Sequence, residues 1–244
     1  MGIEDYVNKV FVKSCKELTS ELPDKSIDLI LTDPPFNIAS KNNLTYVRGK
    51  ITSTKRAWGY KFNDEWKTID DYIHWLLNET SEFKRILKEN GSLIMFVSRY
   101  YSGYVIYRFE KKGWIFKNKI YFERLNPPPH VRKNNYRSVM DEAIWFTKTN
   151  KYIFNFLSQE KMKQVFYGNI GNKDTRHPTE KYVWMIEPLI LRHSTKNSVI
   201  LDPFCGSGTV CVISKKHKRF YIACDINKEY VEICNKRLMQ EYLI

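Results

Sequence analysis

The sequence predicts a doubly wound, mainly parallel α/β sheet with helices on both faces. Strand-type apolar runs alternate with stretches of helical periodicity, the pattern left by crossover units. Two of those runs, Leu29-Ile30-Leu31-Thr32 and Val199-Ile200-Leu201, are buried-type strands entering tight turns that carry Asp33 and Asp202. The last quarter reads strand, glycine turn, helix, strand, helix without interruption.

The elements follow in chain order. Residues 10–12 form a short strand and 17–22 a helical turn. Residues 27–32 form a strand that stops at Asp33-Pro34-Pro35, because proline cannot donate to a ladder. Thr68-Ile69-Asp70-Asp71 resembles a capping box. Ile73, Leu76, Leu77, Phe83, Ile86 and Leu87 then recur at helical spacing, which predicts one helix closed by Asn90-Gly91. Residues 92–97 read as strand and 99–112 as a helix ended by Gly113. Residues 114–122, 142–147 and 152–156 are further β candidates. Thr179 is positioned to cap a helix over 180–193 that Pro188 bends. Strand 198–201, a helix from Gly208, strand 219–223 and a helix from Asn227 complete the chain.

With 244 residues, 43% of them hydrophobic, the chain supports one α/β domain with a substantial core and is not a disordered protein. No apolar run approaches the ~18 residues of a membrane span, and the first residues lack a signal-peptide profile. A soluble, cytoplasmic protein is expected. Cys15, Cys205, Cys211, Cys224 and Cys234 show no metal-ligand spacing, so they read as small buried hydrophobes in a reducing compartment, with no metal site.

The formal charge of +13 favours a polyanionic partner, since each neutralised phosphate releases counterions. Its distribution sharpens the expectation. Between Asn37 and Asn63 lie Lys41, Arg48, Lys50, Lys55, Arg56 and Lys61, interleaved with Tyr46, Trp58, Tyr60 and Phe62 and with no acidic residue. A second acid-free stretch, 126–140, carries His130, Arg132, Lys133 and Arg137. Basic residues mixed with aromatics suit contact with both a nucleic-acid backbone and its bases.

Asp202-Pro203-Phe204-Cys205-Gly206-Ser207-Gly208-Thr209 follows a strand and precedes a helix. Its glycines let backbone approach a ligand, and the helix start offers free N–H groups to a carboxylate. Asp202 can take an amine or a bound water. Asp225 ends the next strand, 17 residues after Gly208, where its carboxylate can accept two ribose hydroxyls. No phosphate-binding Gly-x-x-x-x-Gly-Lys-Ser/Thr loop occurs, which argues against a nucleoside triphosphate.

Asp33-Pro34-Pro35-Phe36 suits a different ligand. An exocyclic amine on a base is a poor nucleophile because its lone pair is delocalised into the ring. The Asp33 carboxylate and the Pro34 carbonyl can accept its two N–H bonds, freeing the lone pair to attack an electrophilic methyl. Phe36 offers a flat face worth ~1–3 kcal/mol of stacking. Positioning the reactants can supply about 7–11 kcal/mol of the acceleration. A base in a duplex must leave the stack to arrive there.

Taken together, these motifs resemble the amino-methyltransferases that use S-adenosylmethionine to modify N6 of adenine or N4 of cytosine in DNA. With the catalytic motif ahead of the cofactor motif, the chain is similar to their permuted β class. The resemblance implies a Rossmann-like methyltransferase sheet in one domain over 1–244: a catalytic half at about 10–148, a short target-recognition segment at 149–176 and a cofactor half at 177–241. It makes Asp33, Pro34, Pro35 and Phe36 the amine-binding motif. Asp202, Phe204, Gly206, Gly208 and Thr209 become the cofactor loop, and Asp225 the ribose-binding acid. His177-Pro178-Thr179-Glu180-Lys181 matches the family's His-Pro-Thr-Gln-Lys segment beside the methionine end of the cofactor, which implicates His177, Thr179 and Lys181. Phe36 stands for the commoner Tyr, Ser14-Cys15 for Gly-Asp, and Glu180 and Tyr182 for Gln and Pro. The partners implied are double-stranded DNA, a second copy in a homodimer and a cognate restriction endonuclease.

Adenine N6 is the expected target. Cytosine N4 is the alternative, its enzymes more often carrying Ser where Asp33 stands. An RNA base methyltransferase and a DNA-binding module with a relic catalytic motif are the rival classes.

Overall fold

A computed structural model of the chain describes residues 2–37, 66–130, 133–171 and 180–240, together with the backbone of two short strands at 45–47 and 50–52. After a 3-10 turn at Ile3–Asp5 come β1 (Lys9–Val12), α1 (Cys15–Glu21), β2 (Ile27–Thr32) and the antiparallel pair β3 (Thr45–Val47) and β4 (Lys50–Thr52). Then follow α2 (Ile69–Glu79), α3 (Phe83–Ile86), β5 (Leu87–Val97), α4 (Ser102–Lys111), β6 (Ile115–Arg124), β7 (Met140–Thr147) and β8 (Val165–Gly168). The last third is α5 (Val183–His193), β9 (Val199–Asp202), α6 (Thr209–Lys216), β10 (Phe220–Asp225) and α7 (Lys228–Met239).

Eight strands form one sheet in the order β1-β10-β9-β2-β5-β7-β6-β8. The first five run parallel, β7 is antiparallel to both its neighbours, and β8 returns parallel to β6. Side-chain alternation divides the core. Ile30, Leu93, Met95 and Leu201 face Leu18, Ile73, Phe83 and Val105 of α1–α4. Leu29, Leu31, Ile94, Phe96 and Ile200 face Met185, Ile186, Leu189 and Ile190 of α5 and Val210 and Ile213 of α6. With helices on both faces, a strand such as β2 is buried at all six positions, which explains its largely apolar sequence. Asp28 is the exception, and it is held by Lys88 (2.9 Å to each carboxylate oxygen) and by the Val199 amide (2.8 Å).

Three local expectations are corrected. The helix begun by the Thr68 cap ends at Glu79, and Leu87 already pairs with Ile27, so Asn90-Gly91 lies inside β5 rather than at a helix end. An irregularity there lets Leu87 pair with Ile27 and Ser92 with Leu29. Residues 152–156 form no strand: the Asn155 amide and side chain instead cap α5 carbonyls at Arg192 and Leu191. The helix expected from Glu180 starts at Val183, runs through Pro188, and Thr179 lies outside the described residues.

Candidate active site

The pairing order decides which turns meet. Along the carboxyl edge of the five parallel strands lie, in turn, Ser14 beyond β1, Asp225 at the end of β10, Asp202 at the end of β9, Asp33 beyond β2 and Phe96 near the end of β5. Two strand spacings of ~4.8 Å separate the ends of β10 and β2, so about 10 Å divides the two motifs' outer carboxylates along the edge. One cleft runs over this edge. Asp33, Pro35, Phe96, Lys181, Asp202, Phe204, Gly206, Thr209 and Asp225 all line it. Pro34 is buried, Phe36 packs partly into the core, and Gly208 caps α6 with φ +81°.

The two motifs are bonded to each other. The Thr32 hydroxyl donates to Asp202 Oδ1 across 2.9 Å, and the Phe204 amide donates to the same oxygen at 3.3 Å. Burial nonetheless dominates at Asp202 and pushes its carboxyl up to about 8. Asp225 accepts the Gly206 amide (3.0 Å) and the Asn227 amide (2.8 Å), so it shapes the glycine loop while each oxygen keeps a lone pair for a ligand. Burial raises its carboxyl as well.

The loop between β9 and α6 is braced from beneath by Arg237 of α7. Its guanidinium donates to the Ser207 carbonyl (2.8 Å) and the Thr209 hydroxyl (3.2 Å) and pairs with Glu180 at 3.1 Å, both side chains being buried. Gly208 has no room for a side chain, since a Cβ there would stand 2.1 Å from Cys234 Sγ. All five cysteines are buried free thiols.

The Asp33 turn is held from outside. The Tyr72 hydroxyl donates to the Pro35 carbonyl (2.9 Å), the Tyr101 hydroxyl to the Asn37 carbonyl (3.4 Å), and the Trp66 amide to Asn37 Oδ1 (2.8 Å). Asn37 takes φ +54°, a left-handed conformation that asparagine tolerates. Trp66, Tyr72 and Trp75 pack on one another, and Trp75 reaches Phe204 of the cofactor loop at 5.9 Å. Trp66, Tyr72, Trp75 and Tyr101 were not singled out by sequence reasoning; only Tyr72 and Trp75 carried a signal, their spacing on the helix begun by Thr68.

Lys181 lines the same cleft as Asp202 and Thr209. Its ammonium pairs with the Asp33 carboxylate and sits 5.1 Å from the Phe36 ring centroid and 4.9 Å from that of Phe96. His177 and Thr179 lie outside the described residues.

A model of the DNA methylase family matches residues 27–236. The chain belongs to the DNA methylase family. As a DNA methylase it transfers a methyl group from S-adenosylmethionine to a base of DNA. It is 29% identical to the Type II methyltransferase M.HinfI of Haemophilus influenzae over 98% of this chain and 70% of that one. It is 28% identical to M2.DpnII of Streptococcus pneumoniae over 91% and 86%. Among solved structures, this methylase overlays the M1.HpyAVI–SAM complex with a TM-score of 0.73 at 24% identity, covering 95% of this chain and 99% of that one. It overlays the cytosine-N4-specific PvuII DNA methyltransferase at 0.76 and 18%, covering 96% and 87%.

The cleft of this methylase fits that donor. Asp225 at a strand end offers acceptors to a diol, Ile226, Trp75 and Phe204 supply apolar walls, and Thr209 opens a helix toward the cleft. Where relatives of the family carry Gly-Asp, Ser14 caps α1, Cys15 donates to the Glu79 carbonyl (3.2 Å), and Glu79 is among the residues lining the cleft.

The basic loops divide. Lys41, Arg48, Lys50, Lys55, Arg56 and Arg132 fall at positions whose side chains are not described. Lys133 and Arg137 are exposed on the loop joining β6 to β7, at the same edge of the sheet as Asp33. That loop is tied down by Arg137 on the Pro127 carbonyl and by Arg99 on Ser138 (3.1 Å). Arg99 also lies 5.0 Å from the ring centroid of Tyr100, which is 53% exposed. This cation–aromatic pair was not foreseen. No described helix is long and apolar enough to cross a membrane.

Proposed function

We propose that this chain is a site-specific methyltransferase acting on the exocyclic N6 amine of adenine in double-stranded DNA, within a single permuted domain. The observation that carries the reading is the Thr32–Asp202 bond, which fastens the end of the amine-binding strand to the start of the cofactor loop. Asp225 holds the ribose, Glu79 accepts from the adenine end of the donor, and Asp202 and the start of α6 take its amino and carboxylate groups. The bound donor supplies an electrophilic methyl group.

The chain's own residues prepare the nucleophile. Asp33 and the Pro34 carbonyl accept the two N–H bonds of the base amine, which localises its lone pair. Tyr72 occupies the Pro35 carbonyl, so the turn keeps one shape while the base enters. Phe36 stacks on the extruded ring, and the Trp66–Tyr72–Trp75 cluster excludes water along one wall. Lys133, Arg137, Arg99 and the basic residues between Asn37 and Asn63 bind the backbone of the duplex. Self-association and a cognate restriction endonuclease belong to the same reading, and light scattering together with a digest of methylated and unmethylated DNA tests them.

Asp33 supports adenine over cytosine. Nucleoside mass spectrometry of duplex DNA treated with enzyme and S-adenosylmethionine tests this directly. N6-methyladenine is expected, and Asp33→Ala abolishes its formation while donor binding persists. N4-methylcytosine alone would overturn the adenine assignment, and preferred methylation of RNA in competition would overturn the substrate class.

A further inference from the structure

Lys181 follows Glu180, whose buried carboxylate is clamped by Arg237, and Arg237 in turn holds the Ser207 carbonyl and the Thr209 hydroxyl. The backbone that carries Lys181 is thereby pinned to the cofactor loop. From this fixed point the lysine stem crosses the cleft. Its ammonium rests against the Asp33 carboxylate with Phe36 at 5.1 Å and Phe96 at 4.9 Å. The pair is enclosed, with 15% of the Lys181 side chain and 23% of the Asp33 side chain exposed.

A carboxylate whose bound cation lies close to two aromatic rings recognises amines of two kinds. It attracts an ammonium through charge and through the ring quadrupoles. It also suits a base amine, through N–H donation to the carboxylate and stacking on the ring. The same atoms cannot serve both at once.

We propose that Lys181 is the resident occupant of the target-amine subsite, a tethered cation that leaves Asp33 only when an extruded base bearing an amine takes its place. This rests on the reading of Asp33 as the acceptor for the target amine. Only the side chain has to move, because Glu180 and its clamp stay in place while a four-carbon stem rotates. Base capture is then a competition. A thymine has no exocyclic amine to offer Asp33, so it does not displace the ammonium, whereas an adenine replaces both the hydrogen bonds and the stacking face. Lys181 is accordingly a positioning residue that filters the bases admitted to the subsite.

The test uses the whole enzyme and a duplex whose methylated site has been mapped by sequencing that detects modified bases, with 2-aminopurine placed beside the target adenine, so that the target keeps its N6 amine and its departure from the stack raises the neighbour's fluorescence. Lys181→Met removes the competing charge and keeps the apolar stem. Extrusion, read as 2-aminopurine fluorescence without donor, is expected to rise roughly threefold to tenfold over the unsubstituted enzyme. Lys181→Gln supplies a second uncharged variant should the methionine pack into the subsite. Lys181→Ala leaves room for a free cation, so butylammonium is expected to inhibit its methyl transfer competitively with DNA and to leave the unsubstituted enzyme unaffected. Capture that is unchanged or weaker in both uncharged variants, or alkylammonium inhibition that does not compete with DNA, would overturn the proposal. Asp33→Asn separates the two levels. If it methylates normally, the amine-acceptor reading itself fails; if it loses transfer while the lysine variants capture no better, only the occupancy of Lys181 fails.

Discussion

Thr32 and Asp202 meet across 2.9 Å at the ends of neighbouring parallel strands, although they lie 170 positions apart in the chain. Ile30 pairs with Leu201, which sets Asp202 level with Leu31, and the Thr32 side chain reaches Asp202 diagonally across the strand ends. Through it, the turn that presents Asp33 and the loop that presents Gly206 become one rigid edge.

Asp202 retains its proton in the free enzyme near neutral pH, because burial pushes its carboxyl up to about 8. A cationic amine of the donor beside it favours the carboxylate, so donor binding at pH 7 is expected to release close to one proton. Calorimetry in two buffers of different ionisation enthalpy measures this, and Asp202→Asn removes it. The linked effect on folding has a definite sign. The folded protein holds this proton to higher pH than the unfolded chain, so stability falls as pH rises from the ordinary carboxylate range to about 8, and Asp202→Asn flattens that slope.

Asp225→Ala is expected to weaken donor binding by about tenfold to a hundredfold. The ribose hydroxyls lose their acceptor and the amides of Gly206 and Asn227 lose theirs, at about 1–3 kcal/mol for an unsatisfied group. Titration calorimetry with S-adenosylmethionine checks it, and equal affinity would remove Asp225 from the donor site.

Gly208→Ala meets two obstacles, a left-handed φ of +81° and a sulfur 2.1 Å from the new carbon. Its cost is expected to exceed ~1 kcal/mol of stability, together with loss of donor affinity. Cys234→Ala in the same chain removes the sulfur but leaves a carbon at 3.0 Å and the backbone strain. Recovery of the melting temperature is therefore expected to be partial.

Neutralising Lys133 and Arg137 to Gln is expected to weaken DNA binding across sequences and to reduce the salt slope by about one to two. Fluorescence anisotropy over a salt series measures it. An unchanged slope would remove the loop between β6 and β7 from the DNA interface.

Much of this was legible in the sequence, for a physical reason. The strand–turn units around Asp33 and Asp202 encode themselves locally: apolar runs state burial, proline states the end of pairing, and glycine before a helix states a close turn. What escaped was set by distant partners. Tyr72 and Trp66 look like ordinary aromatics until β2 and α2 are brought together and they support the Asp33 turn. Arg237 reads as a charge late in an amphipathic helix, yet it is buried against Glu180, which explains how an acid is accommodated where relatives have Gln. The helix expected to reach Asn90-Gly91 failed because Leu87, which fits helical spacing, pairs with Ile27 instead. The short edge strand β8 carries too little periodicity to stand out from its surroundings.

The central claim is that one cleft brings the target amine to Asp33 while the donor lies along the neighbouring strand ends. A crystal structure with a non-reactive donor analogue and a target duplex measures it most directly. The account predicts the extruded base stacked on Phe36, its amine on Asp33 and about 3–3.5 Å from the position of the transferable methyl, with Lys181 displaced. A base that remains in the helix, or an amine lodged away from Asp33 and beyond direct reach of the donor, would contradict it.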